Sequence, residues 1–367
     1  MARAFRLPTD APYRLLLGVG GIGVGLFFAL EGDHTLGRNE SRPGRLLDVR
    51  DYCKLHIIAH YVAALLGAHP SGQPFHVLPI GRVGRDQTGA RLREEMAGVG
   101  MDLRFVVTDD ERPTILGVCF QYPDGSGGNI TPTNGAASAL TAEDIDRAEP
   151  YLAANSGRAI ALAAPEVPLG ARLHLLRLAT RHGALRVASL TSAEVPAAQE
   201  LGLFSLVDLL AVNEDEAAML VGRPFDLAAP EPFLDECAGL LTVWQPRIRI
   251  VVSAGKQGAY GFADGAWDHS PTPTVPVANT AGAGDALLGG IIACLAVGLP
   301  LIIPGPPRVA ITDRPLASAL DLGVLLAALS VTSPHTIHPK ANVGSLCAFA
   351  REMGLEFAGD LWGALSA

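Results

Sequence analysis

The chain has 367 residues, with 37 Asp and Glu against 28 Lys and Arg, and 49% of its residues are hydrophobic. The apolar content excludes an intrinsically disordered protein, and the acidic balance argues against a nucleic-acid-binding protein, which needs a basic face. The five cysteines lie far apart and form no C-x-x-C pair, so neither a disulfide framework nor a zinc site is expected. Reduced thiols of this kind favour a cytoplasmic protein.

The first apolar run, residues 15–30, contains five glycines and is followed by the polar sequence E-G-D-H at 31–34. It is shorter than the roughly 20 apolar residues that span a bilayer, and the small-residue cleavage site of a secretory signal does not follow it. The run therefore predicts a buried strand that enters a glycine-rich turn, and no association with a membrane is expected.

Short apolar runs alternate with longer amphipathic stretches through the rest of the chain. The predicted strands are 14–19, 75–80, 158–163, 185–190, 207–212 and 248–253. The predicted helices are 52–67, 87–98, 169–182, 214–221, 232–243, 282–297 and 318–331. Buried strands separated by helices indicate an α/β fold with a mainly parallel sheet. Because no repeat or interdomain linker is visible, residues 1–367 are predicted to form a single domain.

Two stretches depart from this alternation. Residues 103–107 and 115–122 flank the turn sequence D-D-E-R-P at 109–113, which predicts hairpin-like strands that project from the sheet as a cover. Residues 299–317 are rich in proline and are predicted to be an ordered or semi-rigid connector.

The strongest chemical signal is N-T-A-G-A-G-D-A at 279–286, directly before the apolar helix predicted over 287–297. Small residues let the backbone approach a ligand, and the free N–H groups at a helix start attract anions. Asp285 stands beside these groups, where it could accept a proton from a hydroxyl, and this arrangement suits phosphoryl transfer. The alternative is an N-cap aspartate on a glycine-rich loop.

Two further motifs follow predicted strands. In N-E-D-E at 213–216, Asn213 and Glu216 share one face of a first helical turn, and their oxygens suit Mg²⁺. The same residues would equally cap a helix. In S-A-G-K-Q-G at 253–258, the G-x-x-G turn alone indicates an ordinary hairpin.

In combination and in this order, these motifs resemble the ribokinase, or PfkB carbohydrate kinase, family. Residues 279–286 are similar to the family signature D-T-x-G-A-G-D, 213–216 to N-x-x-E, and 253–258 to T-x-G-x-x-G. Upstream, G-R-V-G-R-D-Q-T-G at 81–89 resembles the family element G-x-V-G-x-D-x-x-G. Downstream, residues 325–332 with Pro334 resemble the helix and loop that close over the nucleotide base. The resemblance extends over roughly 75–350.

The resemblance implies a ribokinase-like αβα sandwich with a mainly parallel central sheet and a small β lid, supplied by approximately 26–45 and 103–134. It implies an ATP-dependent kinase that uses Mg²⁺ and phosphorylates a hydroxyl of a sugar, sugar phosphate, sugar acid or nucleoside. An exposed lid sheet often pairs two copies in this family, which favours a homodimer.

The same resemblance assigns roles by position. Asp285 is the expected base, and the backbone of 281–284 is the expected anion hole for the transferred phosphoryl. The residues expected at the reacting centre are therefore Asp285, Gly282, Ala283 and Gly284. The residues expected to border the nucleotide are Ser253, Gly255, Gly258, Thr280 and Ala281. Asn213 and Glu216 are expected to organise Mg²⁺ through water and the nucleotide phosphates.

Several positions depart from the family pattern. Asn279 replaces the usual Asp, which puts a monovalent-cation site in question. The family binds its acceptor through an Asp after the first strand and an Asn in a G-G-x-x-x-N helix start, but residues 20–25 and 53–60 contain neither feature. Polar and basic residues occur instead, and the candidates for acceptor binding are Arg38, Asn39, Lys54, His56 and His60. The i, i+4 histidines among them could bind a metal, contact an acidic or phosphorylated acceptor, or be structural.

Two other functions compete with the kinase. G-V-G-G-I-G at 18–23 fits the dinucleotide-binding pattern G-x-G-x-x-G, which would indicate an NAD-dependent oxidoreductase if a helix followed. The altered acceptor region would also fit a non-catalytic nucleotide- or sugar-binding protein on a kinase scaffold.

Overall fold

The computed structural model describes residues 4–124 and 126–365, so residues 1–3, 125, 366 and 367 of the predicted domain and lid lie outside the description. The strands are β1 (Leu15–Val19), β2 (Gly23–Leu30), β3 (Gly44–Leu46), β4 (Asp51–Tyr52), β5 (His76–Gly84), β6 (Val106–Asp109), β7 (Ile115–Gln121), β8 (Gly127–Ile130), β9 (Ala159–Ala163), β10 (Leu185–Ser189), β11 (Leu209–Asn213), β12 (Arg249–Ser253), β13 (Ala259–Ala263) and β14 (Ala266–Ser270). The helices are α1 (Lys54–Leu66), α2 (Gln87–Gly98), α3 (Ala142–Asp146), α4 (Glu149–Ala154), α5 (Leu169–Arg181), α6 (Val195–Glu200), α7 (Glu214–Val221), α8 (Glu231–Trp244), α9 (Ala283–Ala296), α10 (Ala319–Ser330), α11 (Val343–Glu352) and α12 (Gly359–Leu365).

Nine strands form the central sheet, in the order β14-β13-β12-β11-β10-β9-β1-β5-β6. All neighbouring pairs from β6 to β12 are parallel, and β13 and β14 add an antiparallel edge. Every residue of β1 and β9 is buried, as expected of parallel strands covered on both faces. The predicted α/β fold with a mainly parallel sheet is confirmed.

Helices cover both faces of this sheet. Leu16 packs in one core with residues of α1, α9 and α10, whereas its neighbours Leu15 and Leu17 pack in another core with residues of α5. This alternation follows from the two-residue period of a strand. The three layers form the predicted αβα sandwich.

A smaller second sheet has the order β3-β2-β7-β8, with β4 also paired to β2. We call it the lid sheet. β2 and β7 are parallel, and β7 forms an antiparallel pair with β8. β2 begins at Gly23, which is earlier than the predicted lid segment 26–45.

The predicted hairpin within 103–134 is wrong in its first half. β6 does not pair with β7 but adds to the central sheet beside β5. The turn between them is shaped by the Asp109 carboxylate, which accepts hydrogen bonds from the amides of Glu111 and Arg112. At this turn the chain leaves the central sheet, and it enters the lid sheet at β7. The partners of β6 and β7 are strands elsewhere in the sequence, so the turn sequence between them does not predict their pairing.

The glycines of 18–23 contribute to packing rather than to a dinucleotide site. β2 follows this segment where the fingerprint requires a helix. A Cβ added at Gly18 or Gly20 would lie 2.7 Å from side-chain atoms of Leu55, and one added at Gly21 would lie 2.5 Å from Cβ of Glu166. Their absent side chains allow α1 and the segment after β9 to approach β1 closely, and this arrangement contradicts the oxidoreductase alternative.

The proline-rich segment 299–317 connects α9 to α10 and buries Leu299, Leu301 and Leu316. Within 4–124 and 126–365, the helices are all too short or too polar to cross a bilayer.

Candidate active site

A cavity of about 860 Å³ lies at the carboxyl ends of β11 and β12, between α7 and the start of α9. Parallel α/β sheets commonly bind ligands in this position. The predicted site residues that line the cavity are Lys54, Asn213, Glu216, Ser253, Gly255, Gly258, Thr280, Gly282, Ala283, Gly284 and Asp285. Residues far apart in the sequence are thus brought to one place.

The turn before α9 depends on Gly282, the N-cap of the helix, whose φ is 80°. A Cβ at this position would lie 2.8 Å from the carbonyl oxygen of Thr336, so a side chain would be both strained and crowded. This glycine allows the turn to lie against the segment that contains Thr336.

The free backbone amides of this turn differ from the predicted set. The Ala281 amide donates to Oδ1 of Asn279 at 3.0 Å, and the Ala283 amide donates to the Thr280 carbonyl at 3.3 Å. Among the described residues, the amides of Gly282, Gly284 and Asp285 have no hydrogen-bond acceptor. Free N–H groups at a helix start are suited to bind an anion.

Asn279 organises the turn through both ends of its amide. Oδ1 accepts the Ala281 amide, and Nδ2 donates to the carbonyl of Pro334 at 2.9 Å. The residue that departs from the family signature therefore fixes the shape of the turn before α9.

Asp285 lies on the first turn of α9 and faces the cavity. Burial raises the pKa of its carboxyl group to about 7, against the opposing effect of Lys54 and with further increases from Glu166, Glu216 and Asp51. A carboxylate with a pKa near neutral pH is suited to act as a general base.

Asn213 and Glu216 form a reciprocal capping box at the start of α7. Oδ1 of Asn213 accepts the Glu216 amide at 2.8 Å, and Oε2 of Glu216 accepts the Asn213 amide at 2.9 Å. The other carboxylate oxygen, Oε1, lies 3.5 Å from the ammonium group of Lys54, which also donates to the carbonyl of Leu190 at 3.0 Å. The box therefore caps the helix and also leaves carboxylate and amide oxygens at the cavity wall.

These oxygens fit Mg²⁺ that arrives with a nucleotide. No group of three or more His, Cys, Asp or Glu residues in the described part of the chain could hold a metal ion alone. Mg²⁺ in phosphoryl-transfer sites keeps several waters and is bound through one or two carboxylates together with substrate phosphates. Glu216 and Asn213 match that requirement.

Another part of the cavity wall is apolar. Val324 and Ala327 of α10 line it together with Val331, which directly follows that helix, and the turn from Ser253 to Gly258 forms its rim. Gly258 has φ of 94°, and an added Cβ would lie 2.1 Å from the carbonyl oxygen of Ser270, so this turn also requires glycine.

Only Lys54 among the five acceptor-binding candidates lines the cavity. Arg38 and Asn39 lie in the exposed loop between β2 and β3. His56 and His60 face the interior, where burial lowers their pKa to about 3 and about 4, so both are neutral. The i, i+4 spacing of the two histidines shows that they share one face of α1, but it does not show that this face is buried.

Three other polar groups near the cavity were not found by sequence reasoning. The carboxylate of Glu166 accepts the amide of Lys54 at 3.1 Å. Asp51 lies close enough to influence Asp285 electrostatically, and burial raises its own pKa to about 6. Ser189, at the end of β10, is 5% exposed and lines the cavity, and its hydroxyl group has no hydrogen-bond partner within the described residues. None of these residues belongs to a motif with a chemical signature.

Comparison with known proteins supplies independent information. A model of the pfkB family carbohydrate kinases matches residues 59–342. The bifunctional ribokinase/ribose-5-phosphate isomerase A of Fructilactobacillus sanfranciscensis is 27% identical over 303 residues, which cover 80% of this chain and 51% of that protein. The chain thus spans about half the length of this relative. The ribokinase of Staphylococcus aureus is 24% identical over 253 residues, which cover 69% of this chain and 75% of the relative.

Solved structures share the fold. The ribokinase from Thermotoga maritima has a TM-score of 0.66 and 20% identity, and the match covers 92% of this chain and 100% of that one. A structure from Escherichia coli in complex with ATP and Mg²⁺ has a TM-score of 0.67 and 18% identity, over 92% and 99% of the two chains. At these identities the structural likeness shows the fold alone.

Proposed function

Since this chain belongs to the pfkB family of carbohydrate kinases, we propose that it transfers the γ-phosphoryl group of ATP to a hydroxyl of a small sugar-like or nucleoside acceptor. Three free amides and the Asp285 carboxylate lie together at the start of α9, and this observation carries the proposal. Phosphoryl transfer depends mainly on positioning and on neutralising charge, and these groups provide both.

In this proposal Asp285 is the general base. It accepts the proton of the acceptor hydroxyl as that oxygen bonds to phosphorus, and the ADP oxygen is the leaving group. The amides of Gly282, Gly284 and Asp285 hold the negative charge of the transferred group. A pKa of about 7 leaves a substantial fraction of Asp285 ionised near neutral pH.

The nucleotide is proposed to lie between the turn at 253–258 and α10, with its phosphates directed toward α9. Mg²⁺ would neutralise phosphate charge, and Glu216 and Asn213 would hold it through water. The E. coli fold relative that was solved with ATP and Mg²⁺ supports this choice of cofactors.

The lid sheet is proposed to exclude water from the transferred phosphoryl group by closing on the acceptor. Its outer face is apolar and exposed: Leu26, Leu116, Leu46 and Ile130 are 37%, 47%, 57% and 64% exposed. Strand register places these side chains on one face of the lid sheet. Because a large apolar face is costly in water, we propose that two copies pair through it.

The function is tested by measuring ADP release from Mg·ATP against a panel of sugars, sugar phosphates, sugar acids and nucleosides. The proposal predicts acceptor-dependent turnover with at least one member. Nucleotide binding without turnover across the panel would instead support the non-catalytic binding protein. Failure to bind ATP would contradict the nucleotide site itself.

A further inference from the structure

Asp51 lies where the lid sheet meets the central domain. It is the first residue of β4, pairs with Gly25 of β2, and is followed within three residues by the start of α1. A Cβ added at Gly25 would lie 2.0 Å from Oδ2 of Asp51, so the carboxylate lies across the face of β2 that Gly25 leaves open. This is the lid face opposite to the exposed apolar one.

Among the residues that the structure describes, no cation forms an ion pair with Asp51. Its Oδ2 accepts a hydrogen bond from the thiol of Cys119 on β7 at 3.8 Å, and its carboxylate also bonds to the hydroxyl of Thr336. Thr336 in turn lies against Gly282 of the turn before α9. A partly buried carboxylate without a positive partner is energetically costly, and such costs are concentrated at binding and catalytic sites.

The carboxylates of Glu166 and Asp285 lie near the same residue, Cys53, as that of Asp51. Cys53, between β4 and α1, has its thiol pKa raised first by burial and then by Glu166, Asp51 and Asp285 in that order, so all three lie around it. The ammonium group of Lys54, at the same end of the cavity, is already bonded to Glu216 and to the Leu190 carbonyl. We call the part of the site around Asp285, where the acceptor hydroxyl would lie, the acceptor end, and it holds more carboxylates than cations before any ligand enters.

Two basic residues that could bind an anionic acceptor, Arg42 and Arg38, either have other partners or lie outside the cavity lining. Arg42 is bonded to Glu40 and to the carbonyl of His34, and it lies 5.9 Å from the Tyr122 ring centre. Arg38 is exposed in the β2–β3 loop, outside the cavity lining. A phosphate or carboxylate group on the acceptor would meet like charge, whereas hydroxyl groups would donate to the carboxylates.

We propose that Asp51 is an acceptor-binding residue that, together with Glu166, makes this site select an uncharged polyhydroxyl acceptor over a phosphorylated or carboxylated one. The inference rests on the proposed kinase function and decides among the acceptor classes that the sequence left open. Asp51 thereby supplies, from β4, a carboxylate at the acceptor end of a chain that has none directly after its first strand. The unpartnered hydroxyl of Ser189 at the same cavity gives such an acceptor a further partner.

The test is calorimetric binding of matched pairs in the presence of saturating Mg·ADP: ribose with ribose 5-phosphate, fructose with fructose 6-phosphate, and glucose with gluconate, followed by a set of polyols and nucleosides. We expect at least one uncharged compound to bind at least ten times more tightly than its charged counterpart. Tighter binding of the charged partner, or binding of no uncharged compound, would overturn the proposal.

Two variants test whether Asp51 is responsible for the selectivity. Asp51→Asn should weaken binding of the uncharged acceptor about tenfold or more, because a hydrogen bond to a charged group is lost. Gly25→Ala should do the same by displacing the Asp51 carboxylate without removing it, which keeps the test valid if Asp51→Asn fails to fold. Asp48→Asn, an exposed carboxylate three residues away, is the matched control and should leave binding unchanged. Equal binding by wild type, Asp51→Asn and Gly25→Ala would remove Asp51 from the site.

The binding result is separable from the kinase function. An uncharged sugar that binds selectively but stimulates no ADP release would contradict the kinase proposal and leave the selectivity intact. Turnover of a sugar phosphate in preference to the free sugar would contradict the selectivity and leave the kinase proposal intact.

Discussion

Two opposing influences act on the ionisation of Asp285. It stands at a helix start, where the free amides favour negative charge, yet burial and three neighbouring carboxylates oppose its ionisation. The second influence dominates, because the pKa lies at about 7 rather than near 3.8. The residue is thus able to gain and lose a proton in the pH range where an enzyme works.

This balance predicts the pH dependence of activity. Asp285 must be ionised to accept a proton, so kcat/KM should fall about tenfold per pH unit below pH 7 and level off above it. Steady-state kinetics from pH 5 to pH 9 with saturating Mg²⁺ measures the profile. An activity that stays constant down to pH 5 would show that no group with this pKa acts as base.

Glu216 performs two roles that a single variant can separate. Glu216→Gln keeps an oxygen for the capping box but removes the charge that is proposed to organise Mg²⁺, so the Mg²⁺ concentration for half-maximal activity should rise several-fold. Asn342→Ala, which removes the N-cap of α11 away from the cavity, is the control that should lower stability by about 1 kcal/mol without shifting the Mg²⁺ titration. If the Glu216→Gln titration curve does not move, the residue is only a helix cap.

At the scale of elements, the junction between the 279–282 turn and α9 carries the proposed chemistry. Asn279 holds the turn, Gly282 lets it lie against Thr336, and α9 presents its first amides to the cavity. The helix behind it is buried almost throughout and packs closely on α10, where Gly290 and Gly323 meet. The amides are therefore fixed by packing rather than by the ligand, which is the arrangement that electrostatic catalysis requires.

Gly282→Ala tests this junction. The positive φ and the approach to Thr336 should together lower stability by about 1–2 kcal/mol and displace the amides, so kcat should fall sharply. The matched control is Gly157→Ala, because Gly157 also has positive φ, at 71°, but has open space around it and lies outside the cavity lining. Thermal unfolding and kcat are measured for both. Equal kcat values for the two variants would mean that the turn has no special role.

The elements also show which features the sequence could predict. All six predicted strands and all seven predicted helices occur, because each depends on the local spacing of apolar residues. The hairpin over 103–134 was wrong because β6 and β7 pair with β5 and β2, which lie far away in the sequence. Likewise, Asp51 reaches the acceptor end only through the pairing of β4 with β2, and no motif reports that pairing.

At the scale of the whole molecule, the two sheets supply different residues to the proposed site. The central sheet brings motifs more than 60 residues apart to its carboxyl edge. The strands of the lid sheet hold Gly25, Cys119 and Asp51, where we propose that the acceptor binds. The exposed apolar face of the lid is unfavourable in water, and a second copy would cover it.

Pairing through the lid predicts that the protein runs as a dimer in size-exclusion chromatography with light scattering. Ile130→Lys together with Leu46→Lys should shift it to the monomer mass, because two buried charges would be placed in the interface. Val309→Lys in the proline-rich connector, where the side chain is 94% exposed, is the control and should remain dimeric. A monomeric wild-type protein would contradict the pairing.

The central claim is that Asp285 is the base of a phosphoryl transfer, and one comparison tests it most directly. For an acceptor that supports ADP release, kcat and the Kd for Mg·ATP are measured for wild type, Asp285→Asn and Asp215→Asn, the last being an exposed carboxylate on the same cavity wall. The account predicts that Asp285→Asn loses about 100-fold or more in kcat while ATP affinity stays close to that of wild type, and that Asp215→Asn retains activity. A kcat for Asp285→Asn equal to that of wild type would contradict it.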